Sequence, residues 1–423
     1  MEKVMLKHLL YYDWHLDIRA GGPPGYLANL RYGLDRIDNP EKFEIELWAI
    51  KKQSENNNSS KWANLVNNNR ILKYLSANYF SKAKKSWFKS YVWFLENIDN
   101  QFIQDEVIKK IKSENIKMVH CNYVIDALKV INTLKREGIK DVKVLLTSHM
   151  PEAPSSENYS LILEMGYSKK KATKFRKLWE HIEKRAFCES DILIFPSKEA
   201  MEPYFETLAN FGEWTKNKDI RFFQTGAKAL ETNKTKEELK KQFRVPEDKK
   251  VVVYIGRHNE VKGYDVLTAA GKNILSERKD VLFLIGGKQN CAIQPPKNKN
   301  WRELGWINPA ELLKIADVFI LPNKRTYFDL ILLEVMSTGT PVIATNTGGN
   351  KSVQEVINSL ILYDGTSKDL ENKLNKFLNK PKEEKLEISN KMLEAYKNNY
   401  TPEHFAQRYI DLVEEIYKDY EVL

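Results

Sequence analysis

The stretch from Ala316 to Asn350 constrains the fold of this chain most, because it reads as a complete strand–helix–strand unit. Apolar runs at Val318–Leu321 and Pro341–Ala344 are typical of short strands in a parallel sheet that is covered on both faces. A helical run from about Asp329 to Ser337 lies between them. Ligands of such sheets bind outside the carboxyl ends of the strands, so we expect the loop 323–328 to face a ligand.

Strand-like and helical runs alternate along the rest of the chain as well. The first half has strand candidates at 3–13, 44–50, 117–121 and 142–147, and the second half repeats the pattern from about residue 221. This alternation predicts an α/β protein with two Rossmann-like, doubly wound domains.

The segment around Glu334 resembles the sugar-nucleotide segment of the family 4 glycosyltransferases. Glu334, the turn Gly339–Val342 and the pair Gly348–Gly349 match that family's motifs. The family carries another Glu eight positions earlier, where this chain has Thr326. The resemblance implies a retaining glycosyltransferase with the GT-B fold, in which Glu334 accepts hydrogen bonds from the ribose of a nucleotide sugar.

A second match is the run Gly256–Arg257 followed by Lys262–Gly263, which ends a strongly apolar strand candidate. The resemblance implies that Arg257 and Lys262 hold the diphosphate of the donor. Arg offers a planar fork and Lys a point charge, while the helix after Gly263 contributes its positive end. Two solvated surface cations are the alternative interpretation.

Four residues are therefore candidate catalytic groups, and more are candidate donor-binding groups. Glu334 lies on an apolar helix face, where a carboxylate is costly unless it has a partner; an internal Arg or Lys is the alternative to a ligand. His149 ends a strand, where the family often has a site histidine; a structural role is the alternative, and His120 is a weaker candidate. The catalytic candidates are His149, Arg257, Lys262 and Glu334, and the resemblance extends the donor site to Gly21, Gly22, Gly256, Trp306, Ile307, Thr326, Tyr327, Phe328, Asp329 and Leu330.

The GT-B resemblance also implies the domain organisation. We expect a first, acceptor-side domain at 1–200 and a nucleotide-sugar domain at 201–399, facing each other across a cleft. The last helix, in 400–423, is expected to cross back to the first domain.

Asp329 lies where a helix begins, and we expect it to cap backbone N–H groups there or to meet a sugar hydroxyl.

No metal and no other cofactor is expected, because the sequence contains no Asp-x-Asp pair to hold a metal-bound diphosphate. Thr326 is a poor nucleophile without an evident base, so we expect front-side substitution rather than a covalent intermediate. No Walker loop, zinc spacing or Ser-His-Asp signature competes with this assignment.

The charge and cysteine content bear on partners and location. The net charge of +10 fits phosphorylated substrates or anionic lipid, while no nucleic-acid signature is present. The segment 79–95 alternates basic and aromatic residues and could bind an anionic membrane, or simply pack its aromatic face on the first domain. The protein is predicted to be cytoplasmic, because its three cysteines are scattered and no apolar run reaches about 20 residues. Peripheral attachment to the inner face of the membrane is the alternative.

The predicted function is sugar transfer from a nucleotide sugar, most simply a UDP-sugar, to a hydroxyl of a glycan, glycolipid or glycoprotein of the bacterial surface. A sugar-nucleotide epimerase or a glucan phosphorylase of the same fold is one alternative. A non-catalytic partner subunit is another, since Thr326 replaces the family's first Glu. A nucleic-acid binder is a third, on charge alone.

Overall fold

The described residues form two parallel sheets of six strands each. The computed structural model describes residues 6–16, 22–38, 43–50, 86, 88–287 and 293–421. Gly21, Cys291 and most of the basic and aromatic segment before residue 86 lie outside these ranges. The two sheets confirm the predicted pair of doubly wound, Rossmann-like domains.

The first sheet has the strand order β2-β1-β3-β4-β5-β6, with every neighbouring pair parallel. Its strands are β1 (Leu6–His15), β2 (Phe43–Ile50), β3 (Ile116–Cys121), β4 (Lys143–Thr147), β5 (Ile192–Phe195) and β6 (Asp219–Phe222).

The second sheet has the order β12-β11-β10-β7-β8-β9, again parallel throughout. The strands are short and apolar because helices cover both faces. They are β7 (Lys250–Ile255), β8 (Val281–Gly286), β9 (Trp301–Gly305), β10 (Val318–Leu321), β11 (Val342–Thr345) and β12 (Ile361–Tyr363).

One strand belongs to a different sheet from the one expected. The pattern near residue 221 was assigned to the second domain, but β6 pairs with β5 and extends the first sheet beyond the predicted limit at residue 200. The alternation of elements predicts that a strand exists, whereas its sheet depends on which unpaired edge it meets in three dimensions.

Helices flank both sheets. In the first domain they are α1 (Gly22–Leu34), α2 (88–96), α3 (Asp105–Ser113), α4 (Val124–Glu137), α5 (Pro154–Glu164), α6 (Lys169–Glu189), α7 (Glu202–Thr207) and α8 (Phe211–Thr215). Those that follow are α9 (Lys236–Gln242), α10 (Tyr264–Glu277), α11 (Pro309–Leu313), α12 (Leu330–Ser337), α13 (Gly349–Val356), α14 (Ser367–Leu378), α15 (Lys382–Ala395) and α16 (Pro402–Asp419).

The last helix, α16, packs on the first domain. Its apolar side chains share one core with Leu10 of β1 and Leu27 of α1. The contact with α1 is close, because a Cβ at Gly33 would lie 2.0 Å from the carbonyl oxygen of Pro402. The chain therefore returns to its first sheet after completing the second.

The buried face of α16 also settles the position of His120. The Tyr409 hydroxyl lies 2.7 Å from His120 Nδ1 and 2.7 Å from His8 Nε2, and His120 Nε2 lies 2.8 Å from the Thr147 hydroxyl. All of His120 is buried. This histidine is a core residue with both ring nitrogens satisfied, so it has no free nitrogen for a ligand.

The described part of the basic and aromatic segment is α2, which packs its aromatic face on the domain. The Phe88 ring lies 4.8 Å from Tyr167 and 5.1 Å from Phe175, and Tyr91 lies 6.2 Å from Trp179. Among the aromatic side chains of α2, only Trp93 is well exposed, at 61%. Within the described residues, no helix is both long and apolar enough to cross a bilayer. Membrane attachment stays a prediction.

Candidate active site

The loop between β7 and α10 carries the predicted diphosphate-binding residues at the carboxyl edge of the second sheet. Gly263 adopts a left-handed φ of 65°, and a Cβ there would lie 1.7 Å from the Pro322 carbonyl oxygen, so only glycine fits. The Tyr254 hydroxyl donates to the Arg257 carbonyl at 2.7 Å, and the Lys262 N–H donates to Asn259 Oδ1 at 2.9 Å. The loop is therefore held by hydrogen bonds between side chains and its backbone.

Arg257 is exposed and forms no ion pair with any other residue that the structure describes. Its positive charge acts on the pKa of Glu157, which belongs to α5 of the first domain. Burial raises the pKa of Glu157, and Arg257 lowers that pKa in part. The guanidinium thus lies close enough to the first domain to act on Glu157, and it has no ion pair among the described residues.

Lys262 does have a partner. Its Nζ lies 3.1 Å from Asp329 Oδ1, and the Asn323 amide also donates to the Asp329 carboxylate. Asp329 occupies the N-cap position of α12, but its side chain makes no capping hydrogen bond. The expected cap is therefore wrong: the carboxylate is drawn to the ammonium group across the loop, since a charge-assisted contact is stronger than a neutral one.

Glu334 lies on α12, among the apolar side chains Leu333 and Val335, which are fully buried. Burial raises the pKa of Glu334 to about 7. Its carboxylate meets no cation or hydrogen-bond donor within the described ranges, so the internal Arg or Lys partner is not found there. A carboxyl group in this position is costly unless a ligand completes it.

Replacing Glu334 by Gln should raise stability and weaken UDP binding. The folded pKa exceeds the ordinary value of 4.5, so the destabilisation by Glu334 is absent below pH 4.5, grows as the pH rises through 7, and is constant above. Loss of the charge-assisted bonds that the resemblance implies between Glu334 and a ribose diol should cost about 1.5–3 kcal/mol, or about 10- to 100-fold in affinity. Calorimetric titration of UDP and thermal unfolding at pH 8 measure both effects.

The pH dependence supplies the control for Glu334. UDP affinity of the native protein should rise between pH 6 and pH 8 more than that of Glu334→Gln. The terminal phosphate of UDP also titrates near pH 6, so the difference between the two proteins is the measured quantity. Identical pH profiles, or a variant of unchanged affinity, would contradict a role for this carboxylate.

The loop before α12 is buried against the first domain. Thr326 is fully buried, and its hydroxyl has no hydrogen-bond partner in the part of the chain that the structure describes. Its backbone carbonyl approaches Gly348, where a Cβ would lie 1.9 Å from that oxygen. Tyr327 and Phe328 are at most 8% exposed. The side chain that replaces the family's first Glu is thus enclosed rather than open to solvent.

His149 lies between the two domains, beside this loop. Its ring lies 4.2 Å from Tyr26 of α1 and 6.1 Å from Tyr327 of the second domain. The amide nitrogen of Asn122 donates to the His120 carbonyl at 3.4 Å, so the amide oxygen faces His149 and accepts a hydrogen bond from Nε2–H at 2.9 Å. Burial lowers the pKa of His149 to about 3, which leaves a neutral ring with Nδ1 as an acceptor.

The remaining predicted donor-binding residues lie at the same edges. Gly22 begins α1 with a φ of 56° and open space beside its Cα. Trp306 follows β9 and is 86% exposed, while Ile307 packs against Gly286. Leu330 is the first residue of α12. Gly256 packs against Gly287. A Cβ added at Gly287 would lie 1.9 Å from the Gly256 carbonyl oxygen, so the two backbones are in close contact at this corner of the cleft.

Ion pairs across the cleft were not foreseen from the sequence. Arg325 of the second domain reaches Glu152 at 3.1 Å and Glu206 at 2.9 Å. Glu202 accepts from the Gly348 N–H at 3.0 Å and from Lys351 at 2.7 Å. The Gly348–Gly349 turn at the start of α13 is thus occupied by a carboxylate of the first domain. No local pattern marks these carboxylates, because the pairing is between distant parts of the chain.

Comparison with known proteins supports the assignment of the second domain. Residues 235–398 match the family described as glycosyl transferases group 1. The D-inositol 3-phosphate glycosyltransferase of Corynebacterium urealyticum is 29% identical over 210 residues, which are 43% of this chain and 48% of that protein. The N-acetyl-alpha-D-glucosaminyl L-malate synthase of Bacillus anthracis is 35% identical over 127 residues, 28% of this chain and 32% of that protein. The matches span about half the length of these curated relatives or less.

Solved structures resemble the chain over nearly its whole length. Sucrose-phosphate synthase from Thermosynechococcus elongatus has a TM-score of 0.60 at 16% identity, covering 98% of this chain and 100% of that one. Anabaena HepE in complex with UDP and glucose has a TM-score of 0.58 at 12% identity, covering 97% of this chain and 99% of that one. At these identities the likeness shows the fold. The family match is thus confined to residues 235–398, and the likeness over the whole chain is one of fold, which is GT-B.

Proposed function

We propose that the chain is a retaining glycosyltransferase that moves a sugar from a UDP-sugar to a hydroxyl of a glycan, glycolipid or glycoprotein acceptor. The observation that supports this most is a pair of ionisable groups without partners in the second domain, one in the loop after β7 and one on α12. Arg257 is a cation without an ion pair among the described residues, and Glu334 is a partly buried carboxyl group without a donor there. A nucleoside diphosphate supplies both missing partners, phosphate oxygens for the first and a ribose diol for the second.

UDP is the nucleotide we propose. HepE, which shares the fold, is described in complex with UDP and glucose. The base would lie near Trp306 and Ile307, which follow β9 at the same edge as Arg257. The acceptor would belong to a bacterial surface glycan, reached from the cytoplasm or from the inner face of the membrane.

The residues of the site suit front-side substitution. Arg257 and Lys262 would hold the departing diphosphate, whose oxygen takes the proton of the incoming acceptor hydroxyl. Asp329 fixes the ammonium group of Lys262 in place. His149 is neutral and offers Nδ1 to a hydroxyl of the donor sugar, between the two domains.

The test of this function is a screen of sugar nucleotides for UDP release. We expect slow hydrolysis of one UDP-sugar by the purified protein, and faster UDP release when a glycoside acceptor is added. Retention is read from the anomeric proton of the product. Conversion of the sugar nucleotide to its epimer without UDP release would establish the epimerase instead, and no turnover of any donor would favour the non-catalytic partner.

Thr326→Ala should retain turnover and change the preference among donor sugars. The hydroxyl is buried and has no partner among the described residues, so we expect it to shape the sugar pocket rather than to attack the anomeric carbon. Rates with the best donor and with its epimers measure the effect. Thr326→Val is the matched control, because it keeps the branched shape and removes only the hydroxyl. Loss of all turnover in both variants, with a sugar trapped on Thr326 in the native protein, would overturn this expectation.

Activity should be independent of divalent metal. The sequence lacks the Asp-x-Asp pair that holds a metal-bound diphosphate, and cationic side chains are proposed in its place. The measurement is the initial rate with the best donor in excess EDTA and after addition of magnesium or manganese. A rate that disappears in EDTA and returns with either ion would contradict the prediction.

A further inference from the structure

We propose that a cavity in the first domain binds the acceptor through an uncharged sugar ring, and disfavours phosphorylated or carboxylated acceptors. This inference rests on the proposed function. The cavity has a volume of about 390 Å³ and lies where β1 ends, beside Pro23 of α1 and Met150 after β4. Met150 directly follows His149, so the cavity opens next to the residue that joins the two domains.

Aromatic rings form much of its wall. Tyr91 and Phe94 of α2 and Tyr123 before α4 line the cavity, and Trp14 of β1 stands at its margin with 64% of its surface exposed. Flat apolar rings suit the C–H faces of a sugar ring, and large binding cavities typically combine such rings with a few polar groups. A sugar ring that stacks on Trp14 would remove part of its exposed apolar surface from water.

The polar groups of the cavity are two carboxyl groups and one ammonium group: Asp13, Asp126 and Lys129. Lys129 pairs with Asp13, whose other oxygen accepts from Gln104 at 3.2 Å. Asp126 is 5% exposed and accepts from the Asp13 backbone N–H at 3.1 Å, but it has no ion pair among the described residues. Asp126 is thus the lining group with capacity left for a ligand.

The balance of charge in the cavity decides which ligands fit. Two carboxyl groups against one ammonium give a local charge of −1 when all are ionised, and the single cation is already committed to Asp13. Burial raises the pKa of Asp126 to about 7. Hydroxyl groups that donate to its carboxylate would therefore stabilise the ionised form, and a further negative charge nearby would destabilise it. Sugar hydroxyls are such donors, whereas phosphate and carboxylate are not. Two relatives are named for an inositol phosphate and for malate, so this chain would differ from them in its acceptor.

The test is saturation-transfer NMR on the UDP-saturated full chain. The probes are the methyl glycosides of glucose, galactose and N-acetylglucosamine, each compared with the free 6-phosphate of the same sugar. We expect binding of at least one neutral glycoside and at least tenfold weaker binding of its phosphorylated counterpart. If no neutral glycoside binds, or if a phosphorylated sugar binds equally well, the proposal is overturned.

Variants separate the cavity from other surfaces. Trp14→Ala should weaken the bound glycoside at least tenfold, and Trp14→Phe should restore most of the binding because it keeps a flat ring. Trp93→Ala is the matched control, since Trp93 is exposed on α2 and does not line the cavity. Asp126→Asn keeps the acceptor for the Asp13 N–H and removes the charge, so it should reduce the discrimination against the phosphorylated sugar. Equal effects of Trp14→Ala and Trp93→Ala would refute the placement.

UDP binding, measured first on the same samples, distinguishes this inference from the function on which it rests. Absence of UDP binding in the native protein would count against the nucleotide-sugar assignment. UDP binding that is intact in Trp14→Ala, together with lost glycoside binding, would support the cavity. UDP binding without any glycoside binding in the native protein would overturn the cavity alone.

Discussion

Arg257→Ala should lower kcat/KM for the nucleotide sugar by about 10²–10³-fold, equivalent to about 3–4 kcal/mol of transition-state stabilisation. The guanidinium is exposed towards the cleft and has no ion pair among the described residues, so no internal partner is left unsatisfied when it is removed. The loss therefore reports its contact with the ligand. Steady-state kinetics with the best donor and titration of UDP measure it.

The matched control for Arg257 is Lys272→Ala, on the exposed surface of α10, the helix that follows the loop. This variant removes one positive charge from the same helix-and-loop unit but away from the cleft, and its kcat/KM should stay within twofold of the native value. Arg257→Lys should recover only part of the activity, because an ammonium group lacks the planar fork. Native affinity for UDP in Arg257→Ala would remove the residue from the site.

Lys262→Ala should be at least as damaging, for a reason that only the structure provides. Lys262 pairs with Asp329 at 3.1 Å, so its removal would delete the proposed diphosphate contact and also leave an unpaired carboxylate beside the proposed diphosphate site. We expect a loss of about 10³-fold or more in kcat/KM, of the order of 4 kcal/mol. The measurement is the same kinetic assay as for Arg257→Ala.

The double variant Lys262→Ala/Asp329→Asn isolates the repulsive part of that loss. Removing the carboxylate charge should restore about tenfold of the activity, since the two side chains are in contact and their effects are not additive. Asp329→Asn alone should weaken the protein's activity less than Lys262→Ala does. Strict additivity of the two single effects would show that the pair does not act together on the diphosphate.

Several local features follow from the sequence and are confirmed. The apolar runs of β7, β10 and β11 predicted a parallel sheet, and they pair side by side in it. The Gly256–Gly263 run was predicted to end a buried strand and to open a helix, and it connects β7 to α10. Such signals are local, because strand and helix periodicity and the need for glycine at a left-handed position are encoded in a few consecutive residues.

The two strand-end histidines show where the sequence stops being informative. His120 lies near the end of β3, and His149 follows the adjacent parallel strand β4. The Tyr409 hydroxyl, 289 residues away, fixes His120 in the core, while Asn122 and Tyr327 place His149 between the domains. Only the packing of α16 and of the second domain separates a structural histidine from a site candidate.

The sequence by itself determined the order of strands and helices, the GT-B resemblance and the loop that carries Arg257 and Lys262. Each of these depends on spacing within one short segment. Only the tertiary structure decided which charges have partners: Lys262 has Asp329, whereas Arg257 and Glu334 have none among the described residues. The same holds for the cavity beside Asp126, because the residues that line it come from strands and helices that are distant in sequence. The physical reason is that the energy of a charged or polar group depends on what surrounds it in space, and the surrounding groups come from anywhere in the chain.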